Sequence, residues 1–238
     1  MYQVVLYCIL AYICIGATGM ALANRRVDRT TSRQRWLKLV AYILITGTVA
    51  VSIPAGFFLP LALLIIGAGY AEMGLAFRRQ PLFSSLPVIS IYTLITLLFL
   101  QFALYLPPEV RLFIYFQVLT FDAFSQVSGQ LLGRRKVAPK ISPGKTWEGL
   151  LGGIVFCILS SFITSGLLSD SDRWLSWLGF FTALVSFSGD LLASAVKRRV
   201  GIKDYGTFLP GQGGFLDRFD SFLMAGAVYY VVWVVVNR

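Results

Sequence analysis

Histidine is absent from the 238 residues. Catalysis by imidazole and metal ligation by histidine are therefore excluded, and any acid, base or metal chemistry falls to carboxylates, lysines and hydroxyls. Cysteine is scarce: Cys8, Cys14 and Cys157 lie in apolar stretches without CxxC spacing and read as packing residues. Charge is thin as well, 13% of residues against 57% hydrophobic, and the mean hydropathy is +0.73. That balance excludes an ordinary soluble domain. The period-two alternation of a lipid-facing barrel is missing, and no polar stretch is long enough to fold alone.

What is present is a series of long apolar runs. Eight stretches of the length a bilayer core demands, about 20 residues, can be drawn: Tyr2 to Ala23, Leu37 to Pro54, Phe58 to Phe77, Leu86 to Leu106, Leu112 to Leu132, Leu150 to Leu168, Trp174 to Val196 and Leu216 to Val236. The sequence thus predicts an all-α fold, a polytopic membrane protein of about eight transmembrane helices with cytoplasmic active-site loops. Its first run ends MALAN, an Ala-x-Ala pattern, yet the start MYQ lacks the basic region of a secretion signal, so it counts as a helix.

The net charge of +10 would suit a nucleic-acid binder, but the placement of the bases argues for topology instead. With Met1 outside, 18 of the 21 bases fall in cytoplasmic segments, leaving Arg111, Arg173 and Arg238 outside. The positive-inside rule therefore puts both termini outside and the long basic loops in the cytoplasm, with no role for nucleic acid. The outer connections are short, whereas Asn24 to Trp36, Gly133 to Glu148 and Lys197 to Phe215 are long polar inner segments, and such loops often carry function.

Three carboxylates fall inside apolar runs: Glu72, Asp122 and Asp190. Each costs about 2.5 to 3.5 kcal/mol at the bilayer centre unless it faces a bundle interior or wet cavity. For Glu72 a structural hydrogen bond to another helix and a functional role are equally open. Asp190 keeps polar company: Ser186, Asp190, Ser194 and Lys197 share one helix face and form a ladder toward the cytoplasm. Asp122 is followed by Ser125, Ser128 and Gly129, small residues that also permit close helix approach.

The stretch GQGGFLDRFD, Gly211 to Asp220, enters the last apolar run. Asp217 and Asp220 share a helix face, and hard oxygens so placed suit Mg²⁺, which binds through one or two carboxylates together with substrate phosphates. Gly211, Gly213 and Gly214 would let backbone approach a phosphate at a helix N-terminus. Lys197, Arg198, Lys203 and Arg218 supply cations. In the loop GRRKVAPKISPGKTWE, prolines exclude a continuous helix, and Ser142, Lys145 and Thr146 can contact a phosphate or base. Trp147 stacks on a base or anchors at the interface, and Thr146 can cap the next helix. The ensemble reads as metal-assisted phosphoryl or nucleotidyl transfer at a membrane surface.

These residues resemble a known family. The run SGDLLASAVKRRVGIKDYGTFLPGQGGFLDRFD is similar to the signature of phosphatidate cytidylyltransferases: S-x-x-K-R at Ser194 to Arg198, K-D at Lys203 and Asp204, the P-G-H-G-G segment at Pro210 to Gly214, and D-R-x-D at Asp217 to Asp220. APKISPGKTWEG and DAFSQVSGQLLGRR resemble two further family elements, so that strong matching covers about Asp122 to Ser221 and weaker matching Arg35 to Arg79, with Glu72 at a W/Y-E position. The resemblance implies one membrane domain over 1–238, in which 1–34 add a helix and basic loop, 35–110 form the N-terminal helices and 111–238 the catalytic half. It implies transfer of the cytidylyl group of CTP to phosphatidate or a related lipid phosphate, giving CDP-diacylglycerol and pyrophosphate, in a bacterial inner membrane, by a monomer or homodimer.

By that resemblance Asp190, Asp217 and Asp220 would hold Mg²⁺, with room for a second ion, and Asp122 would join the metal or polar cavity. Ser194, Lys197 and Lys203 would bind phosphates, helped by Gly213, Gly214 and Arg218, while Ser142, Lys145 and Trp147 would hold CTP. Gln212 stands where the family has histidine, and glutamine can hydrogen-bond but carries no proton at neutral pH. Rival readings are a CTP-dependent lipid kinase, a transporter, and an impaired homologue serving as a lipid-binding or scaffold protein. A transporter would show broken helices in both halves, and an impaired homologue a lost carboxylate.

Overall fold

A computed structural model describes residues 2–24, 28–78, 80–165, 177–206, 208 and 213–236. Its helices are α1 (Tyr2–Asn24), α2 (Arg29–Ser52), α3 (Phe58–Phe77), α4 (Leu82–Tyr105), α5 (Pro108–Leu132), α6 (Trp147–Thr164), α7 (Leu178–Arg199) and α8 (Leu216–Val236). Seven of these are long and apolar enough to cross a membrane, and the chain is a multi-pass integral membrane protein. The other, α5, has 25 residues, about 37 Å of helix, but carries Glu109, Arg111 and Asp122. Its reduced hydropathy has a physical reason: every residue from Leu112 to Phe121 is buried against protein, so lipid does not select its composition.

The bundle is built around α5. It packs most extensively on α6, while α8 lies against α4 and α7. The α5–α6 contact depends on small residues: a Cβ on Gly149 would lie 2.7 Å from the Ser125 carbonyl oxygen, so these helices approach at backbone distance. Phe124 and Phe156 stack at 3.7 Å beside this contact. Farther out, Phe58, Phe99, Phe102 and Phe222 form a fully buried aromatic cluster joining α3, α4 and α8.

Two polar segments differ from expectation. The polar stretch Asn24 to Trp36 is largely helical, because Asp28 caps α2 by accepting the Thr31 N–H at 3.0 Å and the following residues include no helix breaker. Hydrogen bonds from Thr30 and Thr31 hold the Asp28 carboxyl well below its usual range. The second segment forms a hairpin of β1 (Lys136–Ala138) and β2 (Ser142–Thr146), paired Lys136 to Thr146 and Ala138 to Ser142. Pro139 and Pro143 stop a helix there, and Thr146, accepting the Gly149 N–H at 3.1 Å, starts α6 as its N-cap. Arg198 fixes the hairpin over the end of α7 through Ile141 O (3.2 Å) and Ile202 O (2.9 Å).

Candidate active site

The α7 ladder is realised, and its rungs are in different surroundings. Ser186 is fully buried inside the bundle, whereas Asp190 is half-exposed, with 41% of its side chain accessible. The hairpin carries Lys145 onto Asp190, Nζ to Oδ2 2.8 Å, where Lys145 also lies 4.5 Å from the Phe187 ring centre and donates to Phe187 O. Ser194 donates to the other Asp190 oxygen at 3.3 Å. Two further carboxylates lie near this group: Asp122 is within electrostatic reach of Asp190 and Asp220, and of the cations Lys145 and Arg218. Asp122 is nonetheless exposed at the surface of the protein and not enclosed in its packed core.

A second group sits one to two turns higher. Lys197 donates to Asp217 Oδ1 at 2.7 Å, and both side chains are buried. Asp217 Oδ2 accepts two backbone N–H groups, from Tyr205 and Gly214, each at 2.8 Å. The Lys197 ammonium stands 5.4 Å from the Tyr205 ring centre. Burial, reinforced by the charges of Asp220 and Asp217, pushes the Tyr205 phenol above its ordinary range, and as a neutral donor it reaches Ala193 O at 3.4 Å. Glu72 completes the group by accepting the N–H of Phe215 and of Leu216, each at 2.8 Å.

This geometry settles what each oxygen is free to do. The N–H groups of Gly214, Phe215 and Leu216, which a phosphate at the α8 N-terminus would use, are already bonded to carboxylates. Asp217 has both oxygens occupied. Asp190 has a partly exposed carboxylate facing a lysine, and Asp220 accepts only the adjacent Ser221 N–H (2.7 Å) among the bonds described. Among the described residues no three carboxylates converge closely enough to enclose a metal ion by themselves. The donor set still fits a magnesium ion shared with substrate phosphates, since such an ion takes one or two protein carboxylates and leaves its remaining positions to phosphate and water.

A cavity of about 290 Å³ opens beside this site, between α4, α7 and α8. Its walls are apolar, Tyr92, Ile95, Leu192, Val196 and Leu223 among them, and its charged lining residues are Asp220 and Arg199. Other sequence-proposed residues lie at the periphery. Ser142 opens β2, Trp147 is half-exposed at the start of α6, and Lys203 and Arg218 are exposed. Gly213 takes φ +84° in the turn before α8. Gln212 and Gly211 lie outside the described residues. Sequence reasoning missed Tyr205, whose amide helps hold Asp217; its position directly after Lys203 and Asp204, ahead of the glycines, was the available signal.

A model of the cytidylyltransferase family matches residues 2–236. The chain belongs to this family. Among its relatives, this cytidylyltransferase-family chain is 38% identical over 120 residues to the phosphatidate cytidylyltransferase of Haemophilus influenzae, covering 48% of the chain and 42% of the relative. It is 39% identical over 116 residues to that of Mycobacterium bovis, covering 48% and 38%. With YnbB of Escherichia coli K12, described as uncharacterised, identity is 43% over 110 residues, 46% of the chain and 37% of the relative. The chain thus aligns with about two fifths of the length of these curated relatives.

Proposed function

We propose that the protein transfers the cytidylyl group of CTP to phosphatidate or a closely related lipid phosphate at the cytoplasmic membrane surface of a bacterium, with both termini outside. The observation that carries this reading is the juxtaposition of a Lys–Asp-rich polar site with an apolar intramembrane cavity that shares Asp220 with it. Water-soluble nucleotide and lipid phosphate require such a border, where the acyl part stays in hydrocarbon and the phosphate reaches the charges. Names of relatives that are phosphatidate cytidylyltransferases support the same substrates.

In the proposed reaction an ionised phosphate oxygen of the lipid attacks the α-phosphorus of CTP. The new O–P bond forms as the bond from that phosphorus to the β-phosphate oxygen breaks, and pyrophosphate carries away the electron pair. No proton needs to be removed from the nucleophile, which agrees with a chain lacking histidine. Catalysis then rests on alignment and charge neutralisation. Magnesium, when bound, would neutralise phosphate charge and polarise the α-phosphoryl group. Asp190 and Asp220 would hold it, with Asp122 in the same polar space. Asp217, whose oxygens are engaged by Lys197 and by two backbone amides, would add to the metal site only if Lys197 exchanged it for a substrate phosphate.

The remaining roles follow from reach. Lys145 and Lys197 are already delivered to the site by the hairpin and by the last turn of α7, and each can exchange its carboxylate for a phosphate. Ser194 orients Asp190, while the exposed Lys203 and Arg218 guide the triphosphate, and Ser142, Trp147 and Gly213 border the nucleotide; Gln212 is assigned to the phosphates by its place in the family's glycine-rich motif alone. Reconstitution with phosphatidate, CTP and Mg²⁺ tests the proposal, Asp190→Asn being the informative variant because its partly exposed ion pair contributes little to folding, about 0–1 kcal/mol. Equal turnover in this variant and wild type would refute the assigned role.

A further inference from the structure

The glycines before α8 make room for a side chain of the protein itself. Glu72 belongs to α3 and lies 143 residues from Phe215 in sequence, yet its two oxygens close the amides of Phe215 and Leu216. A helix start leaves such amides without partners, and its positive end favours a carboxylate. The fit depends on missing side chains on both flanks. A Cβ on Gly214 would stand 2.5 Å from both Glu72 oxygens, and one on Gly206 would stand 2.8 Å from Oε1. Neither glycine needs a positive φ, so space and not backbone freedom requires them.

Glu72 holds α8 by two successive amides, which defines both the height and the rotation of the helix relative to α3. Asp217 closes the preceding amide, Gly214 N–H, and one turn later Asp220 lines the cavity. A helix turns about 100° per residue, so a small rotation at its start would take Asp217 off Lys197 and turn Asp220 away from Asp190. A local serine or aspartate could cap the amides equally well, but it would tie α8 to its own loop and leave its rotation against α3 unfixed. We infer that Glu72 is a positioning residue for the reaction, setting α8 so that Asp217 and Asp220 face α7, and that Gly206 and Gly214 are its spacers.

The kinetic side of this inference rests on the cytidylyl-transfer reading; its binding and exchange side does not. The test uses the full chain in lipid nanodiscs with Glu72→Gln, Glu72→Ala, Gly214→Ala and the Glu72→Ala/Gly214→Ala double variant. For Glu72→Gln, which keeps the shape and one acceptor oxygen, kcat per folded molecule falls about 10- to 100-fold, the cost of misalignment, while KM for CTP stays within about twofold. Gly214→Ala reproduces the loss, and the double variant is no worse than the poorer single one, because both act through the same contact. Mn²⁺ alone binds Glu72→Gln more weakly than wild type, and the Phe215 and Leu216 amides exchange faster with solvent in Glu72→Ala.

Activity lost only in proportion to folded protein, additive single effects, or Mn²⁺ affinity equal to wild type would each overturn the inference. A wild type that makes no CDP-lipid would instead defeat the cytidylyl-transfer reading. Mn²⁺ affinity and amide exchange need no turnover and still decide Glu72: weaker binding with faster exchange upholds it, and no change overturns it.

Discussion

Replacing Asp217 by asparagine should destabilise the protein more than its conservative shape suggests. The carboxylate has two jobs: Oδ1 faces the Lys197 ammonium at 2.7 Å, and Oδ2 accepts the amides of Tyr205 and Gly214. An asparagine can serve one end at a time. With its oxygen toward Lys197, its NH₂ confronts two N–H groups; reversed, it confronts the ammonium. The side chains are 10% and 2% exposed, so water offers little relief. Breaking a buried pair from one side costs about 3–5 kcal/mol, in keeping with two unsatisfied donors at about 1–3 kcal/mol each. On the scale of soluble domains of this size, about 2–4 °C per kcal/mol, the midpoint falls by roughly 6–20 °C. Thermal unfolding in nanodiscs, followed by tryptophan fluorescence, measures it. In Lys197→Met/Asp217→Asn the losses should fall short of additivity by about 0.5–3 kcal/mol. An unchanged midpoint in Asp217→Asn, or strict additivity in the double variant, would refute the clamp.

Other consequences can be checked in the same preparation. Lys145→Gln should change stability by less than about 1 kcal/mol, because its ion pair with Asp190 is partly exposed, yet raise KM for CTP about tenfold or more, as expected for loss of a charge-assisted phosphate contact; an unchanged KM would remove Lys145 from the nucleotide site. Gly149→Ala should cost about 1–3 kcal/mol by overpacking the α5–α6 contact, seen as a lower unfolding midpoint; an unchanged midpoint would show that the helices can move apart freely. Chelation by EDTA should stop turnover, with recovery on adding Mg²⁺; turnover surviving chelation would exclude a metal-assisted step. Gln212→His should raise turnover if an imidazole at this point stabilises the leaving pyrophosphate, and an equal rate would show that glutamine replaces it without loss.

Much of the bundle was legible because membrane helices announce themselves by length and apolarity. Phe58–Phe77 and Leu216–Val236 have the boundaries read from the sequence. Where charge interrupts apolarity the reading was weaker: α2 begins at Arg29, eight residues before its apolar stretch, on an Asp28 cap that a search for hydrophobicity passes over. The hairpin was hidden because a five-residue strand containing Pro143 has little local signature. The α7 ladder was visible as i, i+4 spacing, and Asp190 with Ser194 reproduces it. The partners of Glu72, and Lys197 and Tyr205 as partners of Asp217, were beyond reach, since they meet through tertiary packing, across as many as 144 residues for Glu72 and Leu216; the Gly214 N–H, three residues from Asp217, is a local contact. The same packing explains why three glycines near a helix start suggested a phosphate: sequence shows the space but not the carboxylate that fills it.

The most direct measurement is product analysis in liposomes containing phosphatidate, with Mg²⁺ and CTP labelled at the α-phosphorus. Cytidylyl transfer predicts that the label enters a CDP-lipid while pyrophosphate appears in equal amount, and that Asp190→Asn suppresses both. Label recovered as soluble CDP beside a newly phosphorylated lipid alcohol, or no transfer of label from CTP at all, would contradict the account.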